Sequence, residues 1–250
     1  MGYIIAMAGK GGTGKTTLAA LIIRLIKEKK LGSILAVDAD PNSNLAEVLG
    51  VEPAGNIGEI LDDICSNSDK VPAGMPKERF IQHQVQSAIQ EEEGFDILTM
   101  GKPEGPGCYC YVNNVLRGVM IKLIKDYDYI IIDNEAGLEH LSRRTTRSAD
   151  RLIVVSDASS VGLKSASRII ALAKDLKFEV KKSLLLVNRL NKNIDNQKIK
   201  ETGLDYLGHL PADPQIEALS SAGSSIFKLD SNAQLFLALN LLGDKIWKRN

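Results

Sequence analysis

Residues 3–16 read YIIAMAGKGGTGKT. An almost wholly apolar run, Tyr3–Ala8, gives way at Gly9 to a glycine-rich turn that ends on a lysine and a hydroxyl residue. Such a run suits a strand covered on both faces, as in a parallel sheet. Residues 9–16, GKGGTGKT, match G-x-x-x-x-G-K-[ST], and an amphipathic stretch over Lys15–Lys29 follows. Strand, glycine turn and helix, in that order, are the context in which this pattern carries a mechanism. Gly9, Gly11, Gly12 and Gly14 permit a tight backbone that turns a row of N–H groups toward phosphate oxygens. The following helix points its N-terminus at the same anion. Lys15 reaches the terminal phosphates and Thr16 offers a hydroxyl to Mg²⁺. The expected nucleotide contacts along this loop are Gly11, Gly12, Thr13, Gly14, Lys15, Thr16 and Thr17.

The rest of the chain repeats the same alternation. Apolar runs at Ser33–Asp38, Phe95–Met100, Tyr129–Asp133, Leu152–Ser156, Ser183–Asn188 and Tyr206–Leu210 read as strands. Helical patterns lie between them at Pro76–Glu93, Val112–Lys125 and Lys164–Leu176. This predicts an α/β fold: a wound, mainly parallel sheet with helices on both faces. No repeat and no Pro-, Gly- or Ser-rich linker divides the chain, so residues 1–250 read as one domain. The segment Glu52–Glu93 is the least regular and is expected to form a helical excursion.

Composition excludes several classes. The 250 residues carry 31 Lys+Arg against 31 Asp+Glu, a formal net charge of zero. A general nucleic-acid binder usually shows a basic excess, so no nucleic-acid partner is expected. No apolar run approaches the roughly 18 residues of a membrane span, and the N-terminus lacks the basic region of a signal peptide. Three cysteines are no disulfide framework. A reducing, cytoplasmic setting without membrane attachment is expected. The stretch Ala233–Trp247 places Leu235, Leu239, Leu242 and Ile246 on one face, with basic residues only at its end. It reads as a core-facing last helix, not a membrane-lying one.

In chain order, two strands end in carboxylates. Asp38 and Asp40 close the second strand in VDADPNSN, on one side of it by alternation. Asp133 closes YIIID, an apolar run ending in Asp that suits the Mg²⁺ environment of a phosphate site. An Asp-Pro turn with helix capping, helped by Asn42 and Asn44, is compatible with a catalytic role at Asp40.

The cysteines divide into two kinds. Cys65 falls on the apolar face of Ile57, Ile60, Leu61 and Ile64, so it reads as a buried structural residue. Cys108 and Cys110 follow a Gly/Pro loop, GKPEGPG, and precede the helix expected at Val112. A disulfide across one intervening residue is strained. Two adjacent thiolates are soft metal ligands, and a two-fold dimer supplies four around one centre. Ni²⁺, Zn²⁺ or an iron–sulfur cluster fits such a set.

The loop K-G-G-x-G-K-T-T, with its second lysine at Lys10, resembles the deviant Walker A family of partitioning and cell-division ATPases and the nitrogenase iron protein. The resemblance implies a homodimer with nucleotide sandwiched between subunits. Lys10 then acts in trans on the partner's phosphates, as an arginine finger does. It further implies that Asp40 orients the attacking water, that Asp38 belongs to the Mg²⁺ shell, and that Gly137 in NEAG senses the γ-phosphate. Adenine would be held by Asn188 and Arg189, with the Asn side chain reading the base, and by the Pro211–Pro214 turn, including Asp213. No N-K-x-D guanine signature is present, so ATP is favoured over GTP.

The combination of KGGTGKTT, VDADPNSN, EGPGCYCYVNN and DNEAGLEHLSRRT is similar to the CooC-type ATPases. These assist nickel insertion into carbon monoxide dehydrogenase and its partner acetyl-CoA synthase. The resemblance implies ATP hydrolysis and Ni²⁺ or Zn²⁺ held by Cys108 and Cys110 across a dimer. The implied client is one of those two enzymes. His140 reads as a packing or capping residue, with ligation as the alternative. Arg143, Arg144 and Arg147 read as a solvated face, with docking of an acidic client as the alternative. Two other functions compete: a partitioning or positioning ATPase, and an ATP-gated electron donor with an inter-subunit iron–sulfur cluster.

Overall fold

The structure is a computed structural model and describes residues 2–40, 42–52, 55–66, 71–72, 74–101, 110–134, 148–190 and 194–248, without the side chains of residues 65–66 and 110–113. Eight strands form one sheet: β1 Tyr3–Gly9, β2 Ile34–Asp38, β3 Gln90–Glu92, β4 Phe95–Thr99, β5 Tyr129–Asp133, β6 Ser148–Ser156, β7 Glu179–Val187 and β8 Asp205–His209. Their spatial order is β3-β4-β2-β5-β1-β6-β7-β8. All neighbours pair parallel except β3 with β4.

The helices among the described residues are α1 Lys15–Glu28, α2 Leu45–Leu49, α3 Ile57–Ser66, α4 Lys77–Ser87, α5 Cys110–Leu123, α6 Ser160–Asp175, α7 Asn196–Glu201, α8 Pro214–Ser221 and α9 Gln234–Trp247. A short 3₁₀ turn at Ile226–Lys228 precedes α9. Alternation along β1 sends Tyr3, Ile5 and Met7 to one side of the sheet and Ile4, Ala6 and Ala8 to the other. The first side packs α1, α2 and α9; the second packs α3 to α7. The central strands are therefore buried on both faces, which is why they read as continuous apolar runs. Helix α1 is buried from Leu18 through Ile26, between the sheet and the last helix. A helix apolar nearly all round belongs inside a molecule, not on its surface.

Several boundaries differ from expectation for identifiable reasons. The helix expected over Pro76–Glu93 stops at Ser87, and Gln90–Glu92 turn back as an antiparallel edge strand. Gly94, at φ 85, makes the hairpin. The glutamates read as helix formers, yet charge is also what protects an edge strand. Helix α6 starts at Ser160, not Lys164, because the Ser159 hydroxyl accepts the Gly162 N–H and caps it. Helix α5 begins at Cys110, so that cysteine opens the helix instead of lying in the loop before Val112. Helices α2, α7 and α8, of five, six and eight residues, are too short to leave a periodic signature.

The last helix faces the core through Leu235, Phe236, Leu239, Ile246 and Trp247, as its spacing predicts. No helix of the described residues is long and apolar enough to cross a membrane. Arg24 of α1 fastens the segment that leads into α9. Its guanidinium is buried, donates to the carbonyls of Ile226 at 3.0 Å and Leu229 at 2.8 Å, and lies 4.4 Å over the Phe236 ring. It also pairs with Glu28 at 2.7 Å and donates to Ser231 Oγ at 3.1 Å. Arg24→Met should remove all of these donors and take from the Leu229 carbonyl its guanidinium donor, while the Ile226 carbonyl keeps the Leu229 N–H at 3.1 Å. We expect a loss of about 2–4 kcal/mol, read from the midpoint of chemical denaturation. A loss below about 1 kcal/mol, the size of an exposed ion pair, would show that the fork holds nothing.

Candidate nucleotide site

The C-terminal ends of β1, β2 and β5 lie side by side. Register sets Met7 opposite Asp133 and Asp133 opposite Asp38. The chain leaves β1 for β2 on one side and later passes from β5 to β6 on the other, so β1 ends where the winding changes direction. Ligands of open α/β sheets bind in the crevice at such a point.

The loop from Gly9 to Gly14 closes over this edge. Gly9, at φ 152, has its Cβ direction filled by the Val155 carbonyl, so no side chain fits between β1 and β6. Gly14, at φ 91, caps α1 with no side-chain hydrogen bond, and the first turn carries no acidic residue. The first N–H groups of α1 are therefore left for an external anion. Lys10, Gly11 and Gly12 are exposed, while Lys15 is buried within the loop. The Lys10 carbonyl accepts the Thr13 hydroxyl at 2.8 Å and the Lys15 ammonium at 3.4 Å. Lys15 thus rests on the loop's own oxygen.

Beneath the loop stand two buried carboxylates. Burial pushes the Asp133 carboxyl up to about 6, against a hydrogen bond with Thr16 and the charge of Lys15. Asp133 Oδ1 has no hydrogen-bond partner among the described residues. A buried carboxylate oxygen without a donor, on a residue close enough to Thr16 for its hydroxyl to lower the carboxyl's pKa, suits an oxygen-seeking divalent cation. The residues present therefore fit Mg²⁺. Burial likewise pushes Asp38 up to about 7, with the negative charge of Asp133 adding to it. Both Asp38 oxygens already accept backbone N–H groups, from Asp40 at 3.1 Å and Leu45 at 2.8 Å. Asp38, not Asn44, caps α2. Asp40 is half-buried and accepts Asn42 N–H at 2.9 Å through Oδ1, so a turn role coexists with its place near the carboxylates.

On the far side of Gly14 a cavity of ≈ 330 Å³ is lined by Gly14, Thr17, Asn188, Arg189, Asp213 and Ile216, among others. It abuts the phosphate loop, so a ligand with its anionic end at α1 would extend into it. Asp213 shapes the cavity by capping two helices. Oδ1 accepts Gln215 N–H at 3.0 Å and Oδ2 accepts Leu235 N–H at 3.1 Å. Pro211 is half-buried in the turn between β8 and α8.

Two residues escaped sequence reading. Asp157 follows β6, whose Val155 pairs with Gly9, and its carboxyl lies below the ordinary range. The Ser159 hydroxyl is the main cause, and Lys10 contributes. Asn134 is buried and donates Nδ2–H to the Met7 carbonyl at 2.7 Å. A polar residue at a strand end was the available signal for both, but which strand lies alongside is not written locally. Cys108, Gly137, His140, Arg143, Arg144 and Arg147 lie outside the described residues, as do the side chains of Cys65 and Cys110. Among the described residues no group of three or more His, Cys, Asp or Glu is placed to hold a metal.

Comparison with known proteins agrees with this geometry. Residues 4–226 match the family model described as the CobQ/CobB/MinD/ParA nucleotide binding domain. An uncharacterized ATP-binding protein of Methanocaldococcus jannaschii is 42% identical over 97% of this chain and 98% of its own. The carbon monoxide dehydrogenase accessory protein CooC of Rhodospirillum rubrum is 31% identical over 90% of this chain and 89% of its own. The septum site-determining protein MinD of Pyrococcus horikoshii, solved with Mg-ADP, superposes with a TM-score of 0.73 at 23% identity, over 99% of this chain and 97% of that one. With its phosphate loop, paired carboxylates and strand order, the chain belongs to the CobQ/CobB/MinD/ParA family of P-loop nucleotide-binding proteins.

Proposed function

We propose that the protein is an ATP-hydrolysing maturation factor that handles Ni²⁺ or Zn²⁺ for a carbon monoxide dehydrogenase or acetyl-CoA synthase. It would work as a homodimer bridged by nucleotide and metal. The observation that carries the ATPase reading is the buried, unpartnered Asp133 Oδ1 at the uncapped start of α1, with Thr16 and Lys15 lowering that carboxyl's pKa against burial. The maturation reading rests on Cys108-Tyr109-Cys110 and on the relative named as a carbon monoxide dehydrogenase accessory protein.

In this reading the N–H groups from Gly11 to Thr17 bind the phosphates of ATP, and Lys15 leaves the Lys10 carbonyl to pair with them. Thr16 and Asp133 hold Mg²⁺, which when bound neutralises charge on the phosphate oxygens. Asp38 positions Asp40 through the Asp40 N–H, and Asp40 orients a water. The water oxygen bonds to the γ-phosphorus while the bond to the bridging oxygen breaks. That electron pair leaves on ADP, and the water's protons end on phosphate and solvent. Lys10 of each subunit stabilises charge on the other's nucleotide. Gly137 senses the γ-phosphate, and the adenine lies in the cavity beside Asn188, Arg189, Pro211 and Asp213.

A second reading, a positioning ATPase, is favoured by the outer face of α9, where Leu237 is 46% and Leu241 84% exposed. Co-sedimentation with liposomes and with DNA separates the two; ATP-dependent pelleting would favour the second.

Lys15→Ala should abolish ATP binding, whereas Lys10→Ala should retain ATP binding but lose dimerisation and hydrolysis. Calorimetry, sizing with ATP and phosphate release measure the three. Normal turnover by Lys10→Ala would exclude action in trans.

Metal should bind at one Ni²⁺ or Zn²⁺ per two chains and promote dimerisation. Either Cys108→Ser or Cys110→Ser should lose tight binding in equilibrium dialysis, and Cys65→Ser should keep it. One metal per monomer, or retention by the Cys108/Cys110 double variant, would sink the shared site.

The pH response follows from the raised carboxyls. A folded-state pKa above the unfolded 3.8 means the nucleotide-free fold binds more protons than the unfolded chain. Its stability therefore rises as pH falls through about 7 and about 6 toward 3.8. Mg²⁺ needs the Asp133 carboxylate, so Mg²⁺-ATP affinity should weaken by up to about tenfold per pH unit below that group's pKa. Thermal shifts with and without Mg²⁺-ATP from pH 8 to 5 test both signs, and Asp133→Asn should flatten the ligand's pH dependence.

A further inference from the structure

Asn188 and Arg189 follow β7, which is separated from β1 by β6. Their side chains nevertheless end on the phosphate loop. The Asn188 N–H donates to the Ser156 carbonyl at 2.8 Å, holding the residue at the sheet's C-terminal edge. From there Asn188 Nδ2 donates to the Thr13 carbonyl at 2.9 Å, in a buried bond. Asn188 Oδ1 accepts the Arg189 N–H at 2.9 Å. Arg189 Nη1 lies 3.3 Å from the Gly12 carbonyl. Arg189 sits at φ 56, a conformation that non-glycine residues adopt at a cost. Gly14 completes the contact: a Cβ there would stand 2.6 Å from Asn188 Nδ2. The last glycine of the loop, already favoured by its φ of 91, thus leaves room for this amide.

A trans peptide points its C=O and N–H in opposite directions. A donor that pins the Thr13 carbonyl therefore fixes the Gly14 N–H to point away from Asn188, the orientation a phosphate-binding loop needs. We infer that Asn188 is a positioning residue for the phosphate loop, supported by Arg189 on the neighbouring carbonyl, and that it raises affinity for the phosphate chain of a ligand irrespective of its base. This rests on reading residues 9–16 as a phosphate site. It differs from a base-reading role, in which Asn188 would act on the purine alone.

A ligand without a base separates the two roles. Binding of Mg²⁺-tripolyphosphate, Mg²⁺-ATP and Mg²⁺-GTP to the full chain is measured by calorimetry for wild type, Asn188→Ala and Asn188→Asp. Loss of one buried hydrogen bond corresponds to about tenfold in affinity. Asn188→Ala should weaken tripolyphosphate and ATP by that same factor and leave the ATP/GTP ratio unchanged. Asn188→Asp, which sets a carboxylate against the Thr13 carbonyl, should weaken them at least as much. Unchanged tripolyphosphate affinity together with a lost ATP/GTP preference would make Asn188 a base reader and overturn the inference. Should the variants not fold, the side-chain amide of Asn188 is followed by NMR in the wild type. It should stay protected from solvent exchange with tripolyphosphate bound, and free exchange there would equally overturn the inference. A wild type that binds neither ATP nor tripolyphosphate removes the phosphate site and the positioning role together. A wild type that binds both, with an Asn188→Ala affinity for tripolyphosphate equal to its own, removes the positioning role alone.

Discussion

Two carboxylates stand side by side out of water at the end of the sheet. Parallel register places Asp38 directly opposite Asp133, and neither side chain reaches solvent. Unpaired charges in such a place are costly, and the surroundings are arranged around that cost. The backbone N–H groups of Asp40 and Leu45 are turned onto Asp38, which bends the chain after β2 and starts α2. Thr16 and the Lys15 ammonium are set against Asp133. One oxygen of Asp133 is left over. That oxygen is one a divalent cation would suit.

The same edge ties distant parts of the chain to the phosphate loop. Val155 crowds Gly9, Asn188 holds Thr13, and Asn134 reaches back to Met7. Each contact comes from a strand that neighbours β1 or lies one further out. On the outer side, Asp213 joins the start of α8 to the start of α9, while Arg24 ties the approach to α9 onto α1. The nucleotide cavity and the C-terminal helix therefore share supports. Helix α9 turns one face to the core and exposes Leu237 and Leu241 on the other.

The likeness to both CooC and MinD reflects what this edge encodes. A phosphate loop with buried carboxylates specifies nucleotide chemistry and is indifferent to the task coupled to it. In the reading proposed above, the task would be set by what is attached around it, such as Cys108 and Cys110 or the outer surface of α9. This chain carries the cysteine pair in sequence, which is why the maturation reading stands first.

The sequence by itself determined the alternation of strands and helices, the phosphate loop, and carboxylates at strand ends. Those signals are local: an apolar run, a glycine turn and a 3.6-residue period each lie within about 15 residues. Locality also explains the failures. Gln90 and the glutamates at 91–93 look helical until β4 is present to pair with Gln90–Glu92, and β6 looks short until β7 extends alongside Ser148. Only the tertiary structure decided which strand ends adjoin. Strand order and register arise from pairings between residues far apart in the chain, so nothing near Asn188 announces that its amide ends on Thr13. Nor does anything near Asp38 reveal that both its oxygens are already engaged by backbone N–H groups. The residue types were visible from the start, whereas their partners were fixed by the order in which a wound sheet lays its strands.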